Sequence, residues 1–186
     1  MVKRCSAKDQ AAQRELYTRY AARILTVCRR YCSSNQDAED TLHDTFLIAF
    51  DRISSFRYKG SGSLYAWLCR IATNQAVDRV RKKHWRLVPF KAPAVEDSVE
   101  LEEEDIQRIP QEKLLAFIAE LPDVRRAVFN LYCLDGYSHK EIASMLGISE
   151  KGSASILSKA KRQLKNEICK YLNSLNNNEM GEHHTR

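Results

Sequence analysis

Asn74 lies between an aromatic-rich stretch, Phe56, Tyr58, Tyr65 and Trp67, and a basic run, Arg79, Arg81, Lys82, Lys83 and Arg86. Aromatic faces stack on unpaired bases, an amide reads a pairing edge, and cations hold phosphates, so the combination suits single-stranded nucleic acid. Trp67 also reads as a core residue and the basic run as a solvated face, although so dense a run favours a polyanion. Further along, Lys151, Ala154, Ser155, Ser158, Lys159 and Arg162 share one side of a helical register. Short side chains there allow close approach to a duplex, and the cations meet phosphates or base edges. An ordinary helical hairpin with a solvated basic face has the same pattern. A third group is acidic: Asp37, Glu39, Asp40 and Asp44. It would repel DNA, so it either compensates a helix dipole or meets a basic protein surface.

No carboxylates or histidines at metal-binding spacing accompany these groups, which argues against a nucleic-acid enzyme such as a nuclease. Neither a metal nor a cofactor is expected: Cys28 and Cys32 stand one helical turn apart without further ligands near them, and His183 and His184 sit in a polar tail. The six cysteines form no C-x-x-C pair and read as small buried hydrophobes of a reducing cytosol. No apolar run approaches the roughly 18 residues that suggest a membrane span. Met1–Gln10 lacks an apolar signal core, so the expected location is cytoplasmic, without membrane insertion.

The elements that must position these groups are all helical. Leu16, Tyr20, Ile24, Val27, Cys28 and Tyr31 make the stripe of a first helix over Gln10–Tyr31. After the turn residues Ser33–Gln36, a second helix with Ala38, Leu42, Phe46, Ala49, Phe50 and Ile53 inward runs to about Ile53. The glycines and serines of Phe56–Ser63 predict a loop, and Ser63 is placed to cap a third helix with Leu64, Trp67, Leu68, Ile71, Ala72 and Val80 inward, bounded by Pro89 and Pro93. Pro110 and Pro122 open two short helices, the first with Leu114, Leu115, Ile118 and Leu121, the second with Val124, Ala127, Val128 and Leu131. Gly136 suits the stop, Ser138 and Glu141 match a capping box, and Leu146-Gly147-Ile148-Ser149 forms the turn into a last helix, with the tail after Asn173 expected to fray. Two short helices around such a turn are the geometry that lets the second enter a major groove.

Charge is segregated along this layout. Residues 1–92 carry eighteen basic against eight acidic residues, 93–112 one against eight, and 113–186 eleven against eight, within a total net charge of +6. The expected fold is all-α: a first helical domain over 8–90, an acidic flexible linker over 91–109, a second domain with the helix-turn-helix over 110–172 and a polar tail over 173–186.

DAEDTLHDTF (37–46), SLYAWLCRIATNQAVDRVR (63–81) and LPDVRRAVFNLYCLDGYSHKEIASMLGIS (121–149), in this order, closely resemble the extracytoplasmic-function sigma factors of bacterial RNA polymerase. The resemblance covers about residues 10–86 and 110–170. It implies a non-enzymatic factor that binds core RNA polymerase, directs it to promoters and promotes melting. Its partners would be the clamp helices of the largest subunit, the flap of the second-largest subunit, promoter DNA and an anti-sigma factor. Asp37, Glu39, Asp40, His43, Asp44 and Phe46 would dock on polymerase, with His43 standing where the family usually has glutamine. Phe56, Ser61, Ser63 and Asn74 would capture a base flipped from the minus-ten element, and Arg79, Arg81, Lys82 and Lys83 would hold the duplex just upstream. Lys151, Ala154, Ser155, Ser158, Lys159 and Arg162 would read the minus-thirty-five element. Gly152 and Ser153 depart from the threonine-like and apolar residues common there, and Ile156 either touches a thymine methyl or packs inward. Without the resemblance, a stand-alone helix-turn-helix repressor or activator is the competing reading.

Overall fold

The computed structural model describes residues 1–85 and 107–182, so Arg86, Pro89, Pro93, most of the acidic linker, His183 and His184 lie outside the described residues. Among the described residues every regular element is helical, and the helices divide into two compact units.

The first unit is built on α1 (Val2–Ser6), α2 (Gln10–Tyr31), α3 (Asn35–Arg52) and α4 (Ser63–Trp85). Asp9 caps α2, accepting the Ala12 N–H at 3.0 Å. Ser34 caps α3, accepting the Asp37 N–H at 3.0 Å. Each cap satisfies a backbone donor that the helix cannot bond internally. The three long helices pack on one another through Leu16, Ile24, Cys28, Leu42, Phe46, Leu68 and Ala72, with Cys5 of α1 closing one end. Fully burying one such aliphatic side chain contributes roughly 1.5–3 kcal/mol. The expected stripes hold, with Tyr20 and Phe50 half-buried at their margins. Thr41 and Thr45 are buried as well, and each hydroxyl donates one turn back, to Asp37 O at 2.7 Å and Thr41 O at 2.6 Å, so neither hydroxyl is stranded in the core.

One turn of 3₁₀ helix, Ile53–Ser55, ends α3. In the loop that follows, Gly60 and Gly62 take φ of 113° and 82°, conformations that side chains disfavour. Gly62, not Ser63, stands at the cap of α4, since its carbonyl accepts the Ala66 N–H at 3.0 Å. The Ser63 hydroxyl instead turns back, donating to Gly60 O at 2.8 Å and accepting the Lys59 N–H at 3.3 Å. The serine therefore closes the loop onto the helix start instead of capping it.

The second unit contains α5 (Gln111–Ala119), α6 (Asp123–Phe129), a π turn (Asn130–Leu134), α7 (His139–Leu146) and α8 (Glu150–Glu182). Pro110 and Pro122 precede α5 and α6 as the sequence predicts. Arg126, only 4% exposed, donates to the carbonyls of Ala119 at 2.8 Å and Leu121 at 3.3 Å and pairs with Asp123 at 2.8 Å. A buried charge is tolerated there because it satisfies the carbonyls that end α5. Leu115 is 48% exposed, and Phe117 takes the buried place beside Leu121, Ala160, Leu164, Ile168 and Leu172. Gly136 at φ 74° follows the π turn.

Ser138 and Glu141 form the expected reciprocal cap: the Glu141 carboxylate accepts the Ser138 N–H at 2.9 Å, and the Ser138 hydroxyl accepts the Glu141 N–H at 3.3 Å. Gly147 at φ 69° makes the turn, with the Ile148 N–H bonded to Ala143 O at 3.1 Å. Ser149 caps α8 by accepting the Gly152 N–H at 2.9 Å. Among the side chains described, the buried stripe of α8 reaches Leu172, and the helix runs on to Glu182, past the expected fraying point, because extending a nucleated helix adds one hydrogen bond per residue without a new nucleation cost.

Candidate nucleic-acid and protein interfaces

The acidic group stands on the outer side of α3. Asp37, Glu39, Asp40 and His43 are exposed and Asp44 is half-buried. Phe46 departs from the expectation that it presents a binding surface: it is 3% exposed and packs against Tyr17 and Phe50 with ring centroids 4.7 Å and 5.9 Å away. An apolar ring on the inward stripe serves the core. The apolar member of the outer stripe is Leu47, 56% exposed and one turn beyond His43 and Asp44. Sequence reasoning misses it, although the spacing 40, 44, 47 marks it.

Asn74 is exposed on α4, clear of the buried positions Leu68, Ala72, Ala76, Val77 and Val80. Lys82 and Lys83 are exposed, and Arg81 pairs with Asp78 at 2.8 Å. Arg79 is turned to the acidic face, 2.6 Å from Asp44 and 3.8 Å from Asp40, and the Asp44 hydrogen bond raises its pKa further. In the loop, Ser61 is exposed, whereas Phe56 is half-buried and tilted against Trp67 with centroids 5.5 Å apart. The most exposed ring is Tyr58, at 75%. Arg23 lies over the Tyr65 ring at 3.9 Å, and Tyr20 stacks on the same ring at 6.2 Å. Trp67 is half-buried against the core, so it belongs partly to the interior and partly to the surface.

On α8, Lys151, Ala154 and Arg162 are exposed, and Ser155, Ser158 and Lys159 half-buried, so the six expected residues do share an accessible face. Lys161, exposed on the same helix, adds a cation that the register of those six does not include. Ile156 is 4% exposed, which closes the question left open for it: the side chain packs inward. Ser153 is fully buried and its hydroxyl lies 3.0 Å from Nδ1 of His139, whose ring stacks on Tyr132 with centroids 4.5 Å apart. Lys159 and Arg162 also border an open groove of about 490 Å³ shared with Arg125, whose guanidinium donates to Gln163 at 2.8 Å.

Among the described residues no three His, Cys, Asp or Glu side chains come together to hold a metal ion, and no helix is long and apolar enough to cross a membrane. Cys5 and Cys28 are buried as expected, but Cys133, on the π turn, is exposed. Burial pushes the Cys28 thiol up to about 12.

Residues 16–86 match the family model for sigma-70 region 2, and residues 111–164 that for sigma-70 region 4. The chain is 29% identical over 171 residues to the ECF RNA polymerase sigma factor SigE of Mycolicibacterium smegmatis, covering 88% of this chain and 65% of that protein, somewhat under two thirds of its length. It is 28% identical to the ECF RNA polymerase sigma factor SigM of Bacillus subtilis, over 81% of this chain and 91% of that one. A solved chain of the sigma factor RpoE of Bartonella quintana, crystallised with the anti-sigma factor NepR, aligns at a TM-score of 0.47 and 20% identity, over 84% of this chain and 96% of that one. With regions 2 and 4 matched in order and on separate helical units, the chain belongs to the sigma-70 family, as an extracytoplasmic-function sigma factor that directs RNA polymerase to promoters.

Proposed function

We propose that α3 docks this protein on the clamp helices of the largest polymerase subunit, that α4 and its preceding loop trap a melted minus-ten strand, and that α8 reads the minus-thirty-five element. The observation that carries the proposal is the separation of charge on the first unit. The outer side of α3 offers Asp37, Glu39, Asp40 and Asp44 around the exposed Leu47, a surface suited to a basic protein and unsuited to DNA. α4 offers exposed Asn74, Lys82 and Lys83, a surface suited to an unstacked base and its backbone.

Capturing a flipped base needs no ATP: the hydrogen bonds and stacking that hold the base offset the few kcal/mol lost on unstacking. Tyr58, the most exposed ring of the loop, serves as a stacking surface better than Phe56, which Trp67 engages. The second unit anchors the complex through Lys151, Ala154, Ser155, Ser158, Lys159 and Arg162, with the cations on phosphates and the short side chains allowing close approach. The flap of the second-largest subunit is the proposed polymerase contact of this unit, and family membership supports an anti-sigma factor as a further partner. The protein acts in the cytoplasm, at the nucleoid, by binding and not by catalysis of its own.

Anisotropy of the labelled full-length protein titrated with core polymerase tests the docking face. Asp40→Lys and Leu47→Glu should each weaken binding at least ten-fold, about 1.4 kcal/mol. Undiminished affinity in both would refute this docking surface.

A further inference from the structure

In the basic run at the end of α4, Arg79 is turned to carboxylates on another helix. Nη2 of Arg79 donates to Oδ2 of Asp44 at 2.6 Å, and Nη1 lies 3.8 Å from Oδ2 of Asp40. Both carboxylates belong to the face assigned above to polymerase. The pair is well formed but not buried, with 37% of the Arg79 side chain and 42% of the Asp44 side chain accessible. An ion pair this exposed is typically worth at most about 1 kcal/mol, so it can be exchanged for another at little cost. Arg79 also stands three and four residues before Lys82 and Lys83, spacings that put all three on one side of the helix.

We propose that Arg79 is an exchangeable internal counter-ion: it occupies Asp44 and Asp40 in the free protein, and a cation of the polymerase docking surface displaces it, releasing its guanidinium to DNA phosphates beside Lys82 and Lys83. The inference rests on the reading of α3 as the polymerase face. Its consequence is a coupling of the two binding events through one side chain. Free protein has a weakened cationic face for DNA, and docking restores it. By linkage, DNA that engages Arg79 clears Asp44 and Asp40 and strengthens docking by the same factor.

The test begins with the free full-length protein and a short fluorescent duplex at low salt. Asp44→Asn should tighten binding about five-fold, the lower end of typical coupling factors, and steepen the salt dependence by about one counter-ion. Glu39→Gln is the control, because it removes one negative charge from the same helix, whereas the hydrogen bond and ion pair of Arg79 go to Asp44 and Asp40. It should give less gain and no change in slope. In the double variant Asp44→Asn/Arg79→Gln the gain should vanish. An equal gain from Glu39→Gln, or a gain that survives in the double variant, would overturn the proposal. Core polymerase supplies the second arm: Arg79→Gln and Arg79→Lys should bind it at least as tightly as the wild type. Weaker binding by Arg79→Gln, rescued by Arg79→Lys, would make Arg79 a fixed support for the carboxylates and would also overturn exchange. Failure of the wild-type protein to bind core polymerase would instead strike the reading of α3.

Discussion

The Ser153 hydroxyl lies 3.0 Å from Nδ1 of His139, which joins the first turn of α8 to the first residue of α7 by a polar contact inside the helix-turn-helix. Ser153 is fully buried, so its hydroxyl has no water to fall back on. A buried hydroxyl that loses its partner costs about 1–3 kcal/mol, whereas removing the hydroxyl itself removes the need for one. Urea denaturation should therefore rank His139→Ala as the more destabilising change and Ser153→Ala as the milder one. The opposite order would show that the contact is incidental.

The reciprocal Ser138–Glu141 cap makes a second prediction on the same motif. Ser138→Ala leaves the Glu141 N–H without its acceptor and should cost about 1 kcal/mol. A thermal melt of this variant should show the loss, and an unchanged midpoint would mean that packing alone sets the start of α7.

Cys28 gives a pH signature to the first unit. Burial raises its thiol from the ordinary 9.0 to about 12 in the fold. The neutral form is favoured by folding, so this contribution is complete below the unfolded value and is lost as pH rises toward the folded one. Stability should fall by up to about 1.4 kcal/mol per pH unit across that window from this one group. Cys28→Ser or Cys28→Ala should flatten the alkaline limb of a stability profile. A wild-type slope retained in both variants would exclude the thiol as its source.

Exposed Asn74 predicts a defect in a late step. Asn74→Ala should reduce permanganate reactivity of melted promoter DNA in the holoenzyme by ten-fold or more, about 1.4 kcal/mol, while leaving the initial closed complex intact. Equal loss of both would count against base capture.

Much of the fold is legible in the sequence because its signals are local. Ser34, Ser138 and Ser149 cap the helices their positions suggest, Gly136 and Gly147 take the left-handed turns they permit, and the stripes of α2, α3 and α8 bury the expected faces. What stays hidden depends on contacts remote in sequence. Arg79 reads as one more cation of a basic run, since nothing in its neighbourhood reveals Asp44 on another helix. Phe46 is legible as an inward residue and packs on Tyr17 as its stripe predicts, but the resemblance also counts it as docking, and Leu47, its neighbour, is the one that faces out. Nothing local in the sequence marks Arg126 as buried, because the carbonyls it satisfies are defined only when two short helices meet. Ser63 resembles a cap, but two glycines before it give the loop freedom to close on its hydroxyl first.

Run-off transcription with core polymerase, genomic promoter fragments and this protein tests promoter direction most directly. Discrete transcripts should begin at defined sites, require both the protein and core enzyme, and be lost with Asp40→Lys. Absence of any protein-dependent transcript, together with tight binding of duplex promoter DNA by the protein alone, would contradict a sigma factor and favour a stand-alone repressor or activator.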